Sequence, residues 1–185
     1  YFVHTAGFLG KLQTGATDSI NRIFGVGGGG LMTIGQMSEI LVLGAIPLVA
    51  KKVSRKALLS VGLLAYGLRM ALFVYGEDLG TVAVLTGVAL HGFCFGCFIF
   101  VAFMVVDEQT SDDVRASAQS LFNLVIIGIG IIAGSMIAGS VAEWATVDGV
   151  LDYARLFSIP MWASVVCLCL LQVAYPRRSP VIDPA

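Results

Sequence analysis

Gln36 and Glu39 stand three residues apart in Gly35-Gln-Met-Ser-Glu-Ile40, near the middle of an apolar stretch over residues 31–50. On a helix they share one face with Met32 and Leu43. The stretch is long enough to cross a bilayer, and an ionised side chain at that depth costs several kcal/mol or more. A carboxylate persists there when it is paired, protonated or facing a watery cavity. Two chemistries fit Glu39. It can be a structural partner for Arg69, or it can exchange protons as its surroundings alternate, since a low dielectric favours the neutral acid. Gln36 beside it adds a donor and an acceptor suited to a polar solute.

Other polar residues inside apolar runs are few: Ser38, Arg69, His91, Gln119 and Asn123. His91 titrates in the physiological range and suits a proton pathway or a hydrogen bond to a solute; a neutral histidine satisfied by a neighbouring helix is the plain alternative. Arg69 lies close enough to the end of its span for its stem to snorkel, and equally suits a buried pairing. Gln119 and Asn123 are four apart and can act as interhelical glue. Phe93, Phe95, Phe98, Phe100 and Phe103 crowd one run, where one or two could stack on a flat ligand. Cys94 and Cys97 form a Cys-x-x-Cys without a second pair or acidic ligands, so all four cysteines are read as reduced packing residues. The composition offers no nucleophile–base pair, metal cluster or cofactor motif, which argues against an enzyme.

These residues must be carried by membrane helices. Hydrophobic residues make up 57% of the 185, charged residues only 12%, and mean hydropathy is +0.90. A soluble domain is about 25% charged. Runs near 20 apolar residues predict spans over 31–50, 57–75, 81–106, 116–142 and 157–175, after a partial span over about 1–12. Residues 1–30 are expected to hold the end of a transmembrane helix and an external glycine-rich linker. Residues 31–176 make five helices, and 177–185 a tail. The basic turn 51–56 and Arg177-Arg178 place those ends and the C-terminus in the cytoplasm, with the acidic loops 76–80 and 143–155 outside. Ser111 is expected to cap the helix after residue 110, with Asp112 and Asp113 near its positive end. Gly128, Gly130, Gly134, Ser135, Gly139 and Ser140 form a small-residue stripe expected to pack against a neighbour. The basic residues sit in short clusters rather than along one face, so nucleic acid is not an expected partner.

Gly35-Gln-Met-Ser-Glu-Ile40, Arg69-Met-Ala-Leu-Phe-Val-Tyr-Gly76 and Val114-Arg-Ala-Ser-Ala-Gln119 follow in that order on matching spans. Together they resemble the C-terminal half of the nucleoside:proton symporters of the major facilitator superfamily. The resemblance implies an all-α membrane protein, with these helices forming one six-helix bundle whose first helix is cut short and whose N-terminal partner half lies upstream. It implies proton-coupled nucleoside uptake through the inner membrane by alternating access. Gln36, Glu39 and Phe95 carry over as nucleoside contacts; Arg69, Arg115 and Gln119 are read as structural polar residues. The chain departs from the family pattern in the run His91-Gly-Phe-Cys-Phe-Gly96. His91 stands where the family often has Tyr, and Gly96 where it often has Asp. Glu39, with His91, would then carry the proton, and His91 would join the substrate contacts. A sugar or other polar solute, or a non-transporting membrane interaction protein, are the competing functions.

Overall fold

The computed structural model describes residues 2–11 and 30–175. The expected linker (apart from Gly30) and the expected tail over 177–185 fall outside them. Among the described residues, four helices are long and apolar enough to cross a membrane: α3 (Arg55–Val74), α5 (Thr81–Glu108), α6 (Arg115–Trp144) and α7 (Tyr153–Ala174). Two shorter helices, α1 (Phe2–Lys11) and α2 (Thr33–Val49), and the single turn α4 (Gly76–Leu79) complete the set used here. Residues 30 and 31 are also helical, so the rod containing α2 begins where the apolar run does, with one turn residue at Met32.

Local chemistry sets the helix ends. The Ser54 hydroxyl accepts from the Ala57 amide, which starts α3 two residues ahead of its apolar run. Asp152 accepts from the Arg155 amide at 3.0 Å and starts α7 at Tyr153, not at the expected 157. Before it, Asp148 (φ 50°) and Gly149 (φ 77°) turn a two-residue hairpin between β1 (Thr146–Val147) and β2 (Val150–Leu151). At α6 the expected cap is corrected. Val114 is the N-cap residue with no side-chain cap, and the Ser111 hydroxyl donates instead to Asp113. That bond holds the Asp113 carboxyl below the usual carboxylate range. Asp112 pairs with Arg115 at 2.6 Å.

Helix α5 is the axis of the bundle, with α2 on one side and α3 on another, and α7 laid along α3. Two apolar clusters hold these together. At the acidic-loop end, Phe8, Leu31, Met70, Phe73, Val84, Val88 and Phe157 join α1, α3, α5 and α7. The rings of Phe8, Phe73 and Phe157 lie 5.2–5.7 Å apart there in tilted and edge-on contacts. At the basic-turn end, Ile46, Leu58, Leu59, Cys97 and Val101 form the second cluster. Cys167 and Cys169, read as packed, are exposed instead.

The tightest crossings run through glycine, but not through the expected stripe. A Cβ at Gly92 would lie 2.4 Å from the Ser38 carbonyl group, and one at Gly96 would lie 2.7 Å from Val42 Cγ1. Gly92 and Gly96 are four apart and give α2 a smooth face to cross. On α6, a Cβ at Gly134 or Gly139 would meet nothing within 4 Å, so these positions of the small-residue stripe are not packed against any neighbour among the described residues. Helix α6 is instead tied near its two ends. Phe122 meets Phe103 edge-on at 4.9 Å, Gln119 Nε2 donates to Asp107 at 3.0 Å, and Arg115 reaches Asp107 at 3.3 Å. At the other end Val141 and Ala142 pack on the first cluster.

At the basic-turn end, Arg55 pairs with Glu108, and Lys56 Nζ donates to the carbonyls of Gln172 (2.8 Å) and Tyr175 (3.1 Å). The last carbonyls of α7 thus find their partner on α3. Lys56→Met is expected to fray this turn at a cost of about 1 kcal/mol. Faster amide exchange confined to residues 170–175 checks it.

Candidate functional site

Between the two apolar clusters lies a polar layer built by three helices. Ser38 locks the first pair: its hydroxyl donates to the Gly35 carbonyl at 2.8 Å and accepts from the Gly92 amide at 3.0 Å. That amide is available to α2 only because Gly92 carries no side chain. The seam brings Glu39, one residue on, to His91, with 3.5 Å between Glu39 Oε2 and His91 Nε2. On the opposite edge of the ring, His91 Nδ1 lies 2.9 Å from Arg69 Nη1. Arg69 is 1% exposed. Burial excludes snorkelling, and the imidazole stands where a direct carboxylate partner was one of two expectations. The guanidinium also lies 5.7 Å from the centre of the Phe73 ring and in reach of the Cys94 thiol.

Exposure ranks the three groups. The Glu39 side chain is 24% exposed and that of His91 14%, while Arg69 is closed off. Glu39 is therefore the most accessible of the three. His91 and Arg69 also line a cavity of about 440 Å³ between α3, α5 and α7, with Tyr66, Phe95 and Ser164 among its walls. That volume is within the range of small-molecule sites. Phe95 stands 6.5 Å from His91, ring centre to ring centre, where α5 departs from regular α geometry into a π-helical turn over Phe95–Phe100. Such turns often sit at functional sites.

The structure therefore joins Glu39, His91 and Arg69 and sets Phe95 beside them. Gln36 is exposed on α2, one turn from Glu39. Arg115 and Gln119 are apart from this layer, where both engage Asp107 at the end of α5. Gly96 is filled against by Val42, so the departure from the family's Asp is a packing position here. Ser38 was noted only as a polar residue inside an apolar run, and the part Gly92 plays with it escaped the sequence reading. The signal was present as Gly92-x-x-x-Gly96 facing Gly35-x-x-Ser38, a pair of small-residue motifs on two polar-bearing helices.

Comparison with known proteins identifies the family and the fold. The family profile described as Nucleoside H+ symporter matches residues 1–179. The nucleoside permease NupG of Escherichia coli K12 is 33% identical over 138 residues, 74% of this chain and 33% of that protein. The xanthosine permease of the same organism is 28% identical over 131 residues, 70% of this chain and 31% of that protein. A crystal structure of a NupG mutant superposes with a TM-score of 0.81 at 27% identity, covering 94% of this chain and 43% of that one. The chain spans about a third of the length of the curated relatives it matches. It is a multi-pass membrane protein with a major facilitator-type helical fold, and it belongs to the nucleoside:H+ symporter family.

Proposed function

We propose that this chain is the C-terminal bundle of a proton-coupled secondary transporter that imports nucleosides across the cytoplasmic membrane by alternating access. Its remaining partners are protons, the lipid bilayer and the N-terminal six-helix half of the same protein. In this reading it transports and does not catalyse. The basic turn 51–56 and the C-terminus face the cytoplasm, as the distribution of Lys and Arg supports. Gln36, Glu39, His91 and Phe95 contact the nucleoside, whose ribose hydroxyls and base edges want hydrogen bonds and whose flat face wants a ring. Glu39 takes the proton with His91 as its partner. Arg69 supports the layer, while Arg115 and Gln119 brace α5 against α6.

The observation that carries the proposal is the placement of Glu39. It is a partly accessible carboxylate halfway along an apolar helix, facing a titratable ring, in a chain of this family. Isolated carboxylates at such depth mark proton pathways. The substitution of His91 and Gly96 into the family run supports a second reading, in which the solute is a sugar or another polyol.

Full-length protein in vesicles with an acidic exterior is expected to accumulate labelled uridine, with competition by other nucleosides and none by sugars. Accumulation that only sugars inhibit would transfer the assignment to the second reading. No pH-driven uptake of either class would overturn both.

A further inference from the structure

We propose that Arg69 is a positioning residue that holds His91 as its Nε2–H tautomer, so that the imidazole presents a hydrogen-bond donor to Glu39 and cannot accept a proton from it. The argument begins with the valence of the two groups. A guanidinium has five N–H donors and no acceptor. Its contact with His91 Nδ1 at 2.9 Å therefore makes Nδ1 the acceptor. A neutral imidazole carries one ring proton, which must then sit on Nε2, the nitrogen turned toward Glu39 at 3.5 Å. That distance is longer than a formed N–H···O bond, and a closer approach of the carboxylate would complete one. An imidazolium would turn a second N–H against the guanidinium.

Arg69 is held for this task from several directions. It is 1% exposed, lies beside the Phe73 ring, and is neighboured by Met70 in the packed acidic-end cluster. The ring it addresses is fixed as well, because Gly92 ties the same turn of α5 to Ser38. The titratable groups around His91 from every packed helix are Glu39 on α2, Arg69 and Tyr66 on α3, Cys94 on α5 and Cys167 on α7. Of these, Glu39 and Arg69 face the two ring nitrogens. The functional consequence rests on the transporter reading above: His91 steadies the ionised form of Glu39 and blocks onward transfer, so the proton leaves Glu39 by the way it came or toward the solute.

The test is ring-nitrogen NMR on full-length protein carrying 15N-labelled histidine, with the His91 signals assigned by their loss in His91→Gln. The wild type is expected to show one protonated nitrogen, Nε2, at neutral pH. Arg69→Lys, which still donates to Nδ1, is expected to keep that signature, and Arg69→Met to lose it to a mixture of tautomers. An Nδ1–H or doubly protonated ring in the wild type overturns the proposal, and so does an unchanged spectrum in Arg69→Met. If Arg69→Met fails to fold, the wild-type spectrum decides alone. The spectra require no transport, so they stand or fall separately from the nucleoside assignment.

Discussion

Gly92→Ala is expected to part α2 from α5 and to abolish transport in the full-length protein, although it adds one methyl group. The added Cβ would lie 2.4 Å from the carbonyl carbon and oxygen of Ser38 and 2.6 Å from the Glu39 amide nitrogen. All three are backbone atoms of a helix, so no rotamer change relieves the clash. Overpacking a core costs about 1–3 kcal/mol when side chains can yield; with backbone on both sides we expect about 3 kcal/mol or more. The same methyl breaks the 3.0 Å bond from the Gly92 amide to Ser38 and withdraws His91 from Glu39. Gly134→Ala is the matched control, because a Cβ there meets nothing within 4 Å and alanine favours helix. Thermal unfolding in detergent compares them. Equal midpoints for the two variants would show that the seam is not a tight contact.

Glu39→Gln carries the second large effect, and it separates coupling from binding. The amide is isosteric, can accept a hydrogen bond from His91 Nε2, and keeps polar atoms for a solute. It cannot bind or release a proton. Accumulation of uridine driven by an acidic exterior is therefore expected to collapse to an inside-to-outside ratio of unity. Exchange of labelled for unlabelled uridine at equal concentrations is expected to persist. The fold should tolerate the change within about 1 kcal/mol, because the amide has the same shape and keeps a polar atom facing His91 Nε2 at 3.5 Å. Gradient-driven accumulation at the wild-type level would remove Glu39 from the coupling step.

Much of the framework was legible because run length and charge are one-dimensional properties. The five apolar runs all form helices, four of them long and apolar enough to cross a membrane among the described residues, with ends displaced by a few residues. Those displacements trace to caps such as Asp152, which begin a helix ahead of its apolar run. Glu39 was legible for the same reason: a carboxylate among apolar residues is anomalous without any coordinates. What escaped was pairing between helices. Nothing along the chain says that residues 69 and 91, twenty-two apart on different helices, turn their polar tips together. The two small-residue motifs that make the seam were overshadowed by the longer stripe on α6, which composition cannot distinguish from a packed one. The π-helical turn at Phe95 is equally unreadable, since it shifts the faces of α5 without a residue that announces it.

The burial of Arg69 has an electrical consequence. With Glu39 ionised and His91 neutral, the layer formed by these three residues sums to zero charge, and it lies between two apolar clusters. A proton on Glu39 leaves the same layer one unit positive. A nucleoside is uncharged and alters neither sum. A full charge crossing a membrane potential of 100 mV gains or loses about 2.3 kcal/mol. If Glu39 carries the proton as proposed, the voltage would act on the proton-loaded layer, drawing it toward the negative side, while the empty layer would reset without electrical work. On that reading, a cell that loses its pH gradient but keeps its potential would still drive the carrier forward.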